Sequence, residues 1–142
     1  KSSHFNQGFA TTEFMAAALL DMAYHTVKTT EPIHVERFEK ETLDKLGLIP
    51  EITVRYRSTY FSHIFDSGYS AGYYAYTWAE VLDADAFQAF KETGDIFNPE
   101  KALAFRQYVL SKGGSDDAMK LYREFRGKDP SIEPLLKRRG LN

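Results

Sequence analysis

The chain has 142 residues and a formal net charge of −2, with 43% hydrophobic and 27% charged residues, which are ordinary values for a globular protein. This length fits one domain that buries a real core. The small net charge gives no electrostatic reason to expect binding to nucleic acid or to an anionic membrane. No apolar run approaches the ~20 residues that span a bilayer. The absence of cysteine excludes a thiolate site.

Helix-forming segments dominate the first half of the chain. Residues 11–28 are rich in strong helix formers and apolar on most sides, which predicts a deeply buried helix. Residues 33–46 predict an amphipathic helix that ends with Gly47 at its C-terminal cap. The alternating run at 52–56 is short and has no obvious partner strand, so we interpret residues 48–60 as a loop.

Four further helices are predicted in the second half, and the first of them covers residues 69–92 and stops near Gly94. The other three have start signals in the form of a capping side chain or a proline: Asn98-Pro99, Ser115 to Asp117, and Asp129-Pro130. There is no internal repeat and no linker long enough to divide two domains. The sequence therefore predicts an all-α fold, a single helical domain of about six helices over residues 1–142.

The most informative stretch is residues 63–82, where a histidine, a glycine-bearing loop and a tyrosine-rich helix follow one another. On a helical wheel, one face carries phenols and then acids at helical spacing: Tyr69, Tyr73, Tyr76, Glu80 and Asp83. Because buried phenols need hydrogen-bond partners, this face indicates the wall of a wet cleft. The alternative is a plain aromatic core, with Gly68 supplying a positive φ and His63 a satisfied buried histidine.

Three segments carry a resemblance to a known family, and together they cover nearly the whole chain. They are HIFDSGYSAGYYAYTWAEVLDADAF from residue 63, FNQGFATTEFMAAALLDMAYH near the start, and RYRSTYFSHIF before the loop. The chain resembles the thimet-oligopeptidase family of zinc metallopeptidases, in its bacterial peptidyl-dipeptidase and oligopeptidase A branch. It departs from that pattern at Asp66-Ser67, where many relatives carry small residues or glycine, and we expect this change to stiffen the loop.

The zinc motif of that family is missing from this sequence. The family binds zinc through an HExxH helix and a later glutamate, but none of the four histidines begins such a motif and no two stand four residues apart: His4, His25, His34 and His63. The resemblance therefore implies that this is the C-terminal part of a larger, mainly helical zinc peptidase. We expect zinc in the full-length parent, and neither a metal ligand nor hydrolysis in this chain alone.

The resemblance also implies roles for individual residues. Tyr76, alone or with Tyr69, is implied to donate a hydrogen bond to the oxyanion of peptide hydrolysis, since a phenol donates yet stays neutral near pH 7. His63 is implied to contact the substrate backbone or the oxyanion, and Tyr73 to form a wall of the substrate site. A loop is expected to fold over bound peptide with glycine as its hinge, and it consists of Asp66, Ser67 and Gly68.

The implied function is the substrate-binding and oxyanion-stabilising portion of a zinc-dependent oligopeptidase that acts on short peptides and releases C-terminal dipeptides. Endopeptidase cleavage stays open as the other possibility. Release of dipeptides requires a cation for the free carboxylate, for which Arg55 and Arg57 are candidates, although exposed or ion-paired arginines are common. The expected partners are short peptides and the upstream part of the same chain, and an exposed apolar face would allow the chain alone to dimerise.

The expected compartment is the cytoplasm, because cysteine is absent and residues 1–9 lack a signal-peptide pattern. A periplasmic location stays open, since the parent's true N-terminus is unseen. The alternative function is an all-α interaction module whose tyrosine face binds a partner helix. Grooves of that kind need an apolar trough, which this polar-tipped row does not provide.

Overall fold

A computed structural model describes residues 4–141 and contains seven α-helices, numbered along the chain. They are α1 (Gln7–Thr26), α2 (Val35–Lys45), α3 (Ser62–Phe65), α4 (Ala75–Glu92), α5 (Pro99–Phe105), α6 (Ala118–Arg126) and α7 (Glu133–Arg139). No strand occurs in residues 4–141, so the all-α prediction is confirmed. The helix beyond the six predicted is the four-residue α3. No helix in the described part of the chain is long and apolar enough to cross a membrane.

The chain divides into two compact units, residues 1–77 (unit 1) and residues 78–142 (unit 2). The division falls within α4, which gives its first three residues to unit 1 and the rest to unit 2. The predicted extent of one domain over 1–142 stays a prediction.

The core of unit 1 forms where small residues of α1 meet the segment that leads to the tyrosines. Its buried members are Ala16, Ala17, Ala18, Leu20, Val54, Phe61, Ile64 and Tyr73. Three consecutive alanines leave room for the aromatic rings of the later segment to lie against the helix. The prediction of a deeply buried first helix holds only in part, since α1 also exposes Phe9, Leu19 and Met22.

The loop between α2 and α3 is fixed by a buried carboxylate of α2. Glu39 accepts hydrogen bonds of 2.7 Å from both the backbone N–H and the hydroxyl of Ser58, and it forms an ion pair with Arg57. Ser58 begins a short 3₁₀ turn, Ser58–Tyr60, that leads into α3. The loop predicted for residues 48–60 is thus an ordered connection held by side-chain hydrogen bonds.

Unit 2 is organised around Arg126 of α6. Its Nε lies 3.0 Å from Asp85 Oδ2, and its two terminal nitrogens donate to Glu92 at 2.7 and 2.8 Å. The hydroxyl of Tyr122 donates to Asp85 at 2.6 Å. Burial acts to raise the pKa of Asp85, but the hydrogen bonds from Arg126 and Tyr122 hold that pKa below its usual value.

Two of the three start signals in this half are borne out by cap hydrogen bonds. The third, Asp129-Pro130, is wrong, because α7 begins only at Glu133 and its N-cap Ile132 makes no side-chain cap bond. Asn98 accepts from the backbone N–H of Lys101 at 2.9 Å, and Asp117 accepts from that of Lys120 at 2.8 Å. Trp78 of α4 is 46% exposed and is not a core residue.

Candidate functional site

The tyrosine segment enters its helix later than the sequence predicted. Helix α4 begins at Ala75, and residues 69–74 form successive tight turns. Three backbone bonds join residues three apart: Gly72 N to Tyr69 O at 2.9 Å, Ala75 N to Gly72 O at 3.0 Å, and Tyr76 N to Tyr73 O at 3.3 Å. The helical wheel therefore does not apply to Tyr69. A positive φ occurs in this segment at Ala71 (53°) and not at Gly68.

These turns still bring the predicted tyrosines together. The rings of Tyr69 and Tyr76 stack with centroids 4.8 Å apart and planes inclined by 24°. The ring of Tyr73 meets that of Tyr76 edge to face at 5.3 Å. Both Tyr69 and Tyr76 are partly exposed, so the pair lies at an edge of unit 1.

The hydroxyl groups of Tyr69 and Tyr76 share a hydrogen bond. This bond, together with burial and the other nearby phenols, raises the pKa of Tyr76 to about 12. The bond uses one of the pair's two phenolic protons and leaves the other for an outside acceptor. With its pKa raised in this way, the Tyr76 phenol is neutral near pH 7.

Tyr73, by contrast, is a core residue. It is only 2% exposed, stacks on Phe14 at 5.3 Å and meets Phe61 edge to face at 4.9 Å. Burial raises the pKa of its hydroxyl. Its role as a substrate-side wall stays a prediction, and the ring presents little surface for that purpose.

His63 lies on α3 and joins the same cluster of rings. Its ring centroid is 4.7 Å from that of Tyr56 and 6.2 Å from that of Tyr69. Its Nδ1 is buried and has no hydrogen-bond partner among the described residues. A buried ring nitrogen without a partner is uncommon in folded proteins. The structure thus brings together His63, Tyr69 and Tyr76, three of the residues selected from the sequence.

The exposed loop after α3 is held by its own polar groups. The Ser67 hydroxyl donates to the carbonyl oxygen of His63 at 2.5 Å. The backbone N–H of Asp66 donates to the carbonyl oxygen of Ser62 at 2.7 Å. A Cβ atom at Gly68 would meet nothing within 4 Å. The predicted contact of this loop with substrate stays a prediction, and neither space nor a positive φ requires glycine at position 68.

A residue that the sequence analysis did not select positions the tyrosine segment. Asp21 of α1 is 0% exposed, and its two carboxylate oxygens accept from the backbone N–H groups of Ala71 and Tyr73, each at 2.9 Å. The Nδ1 of His25 lies 2.8 Å from Asp21 Oδ1. The available signal was an aspartate inside a mostly apolar helix, with a histidine four residues later.

The charged residues considered beside the tyrosines are engaged elsewhere. Glu80 and Asp83 form ion pairs with Arg139 and Arg138 of α7. That these acids continue the tyrosine face stays a prediction. Arg57 is paired with Glu39, as described above. Arg55 lies over the ring of Tyr56, with its guanidinium carbon 5.4 Å from the ring centroid.

No group of three or more His, Cys, Asp or Glu side chains within residues 4–141 is arranged to hold a metal ion. The tyrosine cluster offers hydrogen-bond donors and aromatic surfaces. The tyrosine pair and His63 supply both within a few ångströms of one another.

Comparison with known proteins gives one family over almost the whole chain. The model of "Peptidase family M3" matches residues 1–141. The dipeptidyl carboxypeptidase of Escherichia coli (strain K12) is 46% identical over 143 residues, which cover 99% of this chain and 21% of that protein. The oligopeptidase A of Haemophilus influenzae is 51% identical over 81 residues, which cover 57% of this chain and 12% of that protein.

A third relative is the organellar oligopeptidase A of Arabidopsis thaliana, 39% identical over 141 residues that cover 96% of this chain and 18% of that protein. The chain thus spans about a fifth of the length of the curated relatives that it matches end to end. The resemblance drawn from the sequence is confirmed.

Proposed function

Because this chain belongs to peptidase family M3, we propose that it is the C-terminal, substrate-binding and oxyanion-stabilising part of a longer zinc-dependent oligopeptidase. The proposed substrates are short peptides. The similarity to a dipeptidyl carboxypeptidase, which extends over 99% of the chain at 46% identity, favours release of C-terminal dipeptides over internal cleavage.

The observation that carries this proposal is the hydrogen-bonded pair of Tyr69 and Tyr76 beside His63. Hydrolysis of a peptide bond passes through a tetrahedral intermediate whose oxygen carries negative charge. A phenol with a raised pKa keeps its proton at every pH at which a peptidase works, so it donates to that oxygen without ionising. The stacked rings hold the two hydroxyl oxygens in place before substrate arrives.

The zinc ion implied by the resemblance does not fit the residues described here, since no cluster of ligands exists among them. We therefore place the metal ligands and the general base in the remainder of the longer protein. The contribution of this chain is electrostatic: it stabilises charge that develops on the substrate, and it orients the peptide through His63 and the exposed edge of the tyrosine cluster.

The test is Tyr76→Phe in the full-length protein, assayed on an internally quenched fluorescent peptide. Phenylalanine keeps the ring, the stacking and the helix start, and removes only the donor. We expect kcat to fall by roughly 10²–10³, the cost of one oxyanion donor, with zinc content unchanged. An interaction made mainly in the transition state lowers kcat more than it changes KM.

Tyr74→Phe is the matched control, because Tyr74 is 52% exposed and lies beside the same turn. We expect this variant to retain its activity. Equal losses of kcat in both variants, or a change in KM alone for Tyr76→Phe, would assign the tyrosines to packing or binding and contradict the oxyanion role.

The interaction-module alternative has less support. A partner helix would need an apolar trough, yet Tyr73, the most buried member of the row, is packed inside unit 1. The rings at the edge carry hydroxyl groups that already share a hydrogen bond.

A further inference from the structure

The backbone between the two exposed tyrosines has an unusual conformation. Ala71 adopts a φ of 53°, which lies in the left-handed region that is unfavourable for residues other than glycine. Strained conformations of this kind persist only when surrounding groups enforce them. The short turns of residues 69–74 supply few bonds of their own, so the enforcing groups must come from elsewhere in unit 1.

Asp21 supplies those groups. Each of its carboxylate oxygens accepts from one backbone N–H, Oδ1 from Ala71 and Oδ2 from Tyr73, both at 2.9 Å. These two amides flank Gly72, midway between Tyr69 and Tyr76. The carboxylate is fully buried, and a buried charge is tolerated only when it is well bonded. The His25 ring nitrogen, 2.8 Å from Oδ1, completes its set of partners.

We propose that Asp21 is a positioning residue for the peptidase site: it fixes the turn at 71–73 and thereby sets the stacking of Tyr69 on Tyr76. The inference rests on the proposed function for its catalytic consequence. Its structural half, that one carboxylate holds the turn, stands on the bonds alone. The role needs both oxygens at once, and therefore needs a carboxylate in particular.

Asp21→Asn in the full-length protein tests this requirement. The amide has the same shape but one acceptor oxygen, and its NH₂ group faces a backbone donor. The matched control is Glu39→Gln, which alters a second buried carboxylate of unit 1 that also accepts a backbone N–H, but at the 3₁₀ turn and not at the tyrosines.

The first measurement is hydrogen exchange followed by mass spectrometry, which is independent of catalysis. Because a charged hydrogen bond is lost in Asp21→Asn, peptides covering residues 69–76 should exchange at least about tenfold faster in that variant. In Glu39→Gln the exchange rate of the same peptides should not change. Unchanged exchange of these peptides in Asp21→Asn would overturn the inference, whatever happens to activity. Where Asp21→Asn fails to fold, His25→Ala removes one partner and should raise exchange in the same peptides.

The second measurement is kcat on the quenched peptide, alone and with Tyr76→Phe. A positioning role predicts that Asp21→Asn lowers kcat about tenfold or more, and much less once Tyr76 is already phenylalanine. If the fold losses of kcat in Asp21→Asn and Tyr76→Phe simply multiply in the double variant, Asp21→Asn destabilises the protein in general and the inference is overturned. Full activity of Asp21→Asn despite faster exchange would also overturn it. If Tyr76→Phe is itself fully active, the proposed function fails, while the exchange comparison still decides whether Asp21 holds the turn.

Discussion

At the scale of single residues, the hydrogen bond between Tyr69 and Tyr76 leads to a prediction that involves titration. Because this bond is the largest cause of the raised pKa of Tyr76, Tyr69→Phe should bring that pKa down from about 12 towards 10. The raised value favours the neutral folded form, so its stabilising effect is present below pH 10 and is lost as the pH rises through 12. NMR of ¹³Cζ-labelled tyrosine follows the titration.

Tyr74→Phe is again the control, since it removes an exposed phenol and should leave the titration of Tyr76 in place. An unchanged pKa of Tyr76 in Tyr69→Phe would mean that burial and the other phenols alone raise it, and that the two hydroxyl groups act separately.

A second prediction concerns the buried charges of unit 2. Arg126→Met leaves Asp85 without its cation in a site where Arg126 is 5% exposed, and removal of one partner of such a pair costs about 3–5 kcal/mol. The free energy of unfolding is measured by urea titration of the 142-residue chain. Fluorescence of Trp78, the sole tryptophan, reports on unit 2.

The matched control is Arg123→Met. Arg123 is on the same helix as Arg126, and this change removes an exposed ion pair between Arg123 and Asp129. This change should cost less than about 1 kcal/mol. Similar losses in the two variants would show that the buried pair contributes no more than a surface pair.

At the scale of elements, the turn before α4 should distinguish residues by their backbone preference. Ala71→Val places a β-branched residue at φ 53° and should destabilise unit 1 by about 1–3 kcal/mol, whereas Ala71→Gly suits that conformation and should preserve stability and activity. Thermal unfolding of both variants gives the comparison. Ala75→Val, at the exposed start of α4, controls for the valine itself, and equal losses at 71 and 75 would contradict the argument.

The same turn explains which elements could be predicted from the sequence. Caps are local, so Asn98 and Asp117 indicated the starts of α5 and α6 from their neighbours alone. The conformation of residues 69–74 is set by Asp21, fifty residues earlier, and no local pattern carries that information. Local propensity therefore extended α4 six residues too far, although the grouping of the tyrosine rings was correctly expected.

The candidate site shows a similar division. His63, Tyr69 and Tyr76 were selected because the clustering of histidine and tyrosines, and the family resemblance that this segment carries, are both visible in the sequence. The exposure of each side chain could not be predicted, because spacing alone does not show that Tyr73 packs on Phe14 while Tyr76 stays at the edge. Likewise, the acids Glu80 and Asp83 matched the face by spacing, but their partners on α7 lie more than fifty residues away.

At the scale of the whole molecule, the sequence and the described residues lead to one expectation about metal. The 142-residue chain, purified alone, should contain no stoichiometric zinc and should not cleave the quenched peptide. No two of its histidines stand four apart, and no cluster of three ligand side chains exists in residues 4–141. Metal analysis after dialysis measures the zinc, and a helical circular dichroism spectrum verifies that the chain is folded when tested.

The full-length protein, prepared alongside, should retain zinc through the same dialysis and lose activity with a chelator. Chelator-sensitive zinc at one ion per chain in the 142-residue protein would contradict the expectation, and would require a ligand set that these residues do not form on their own.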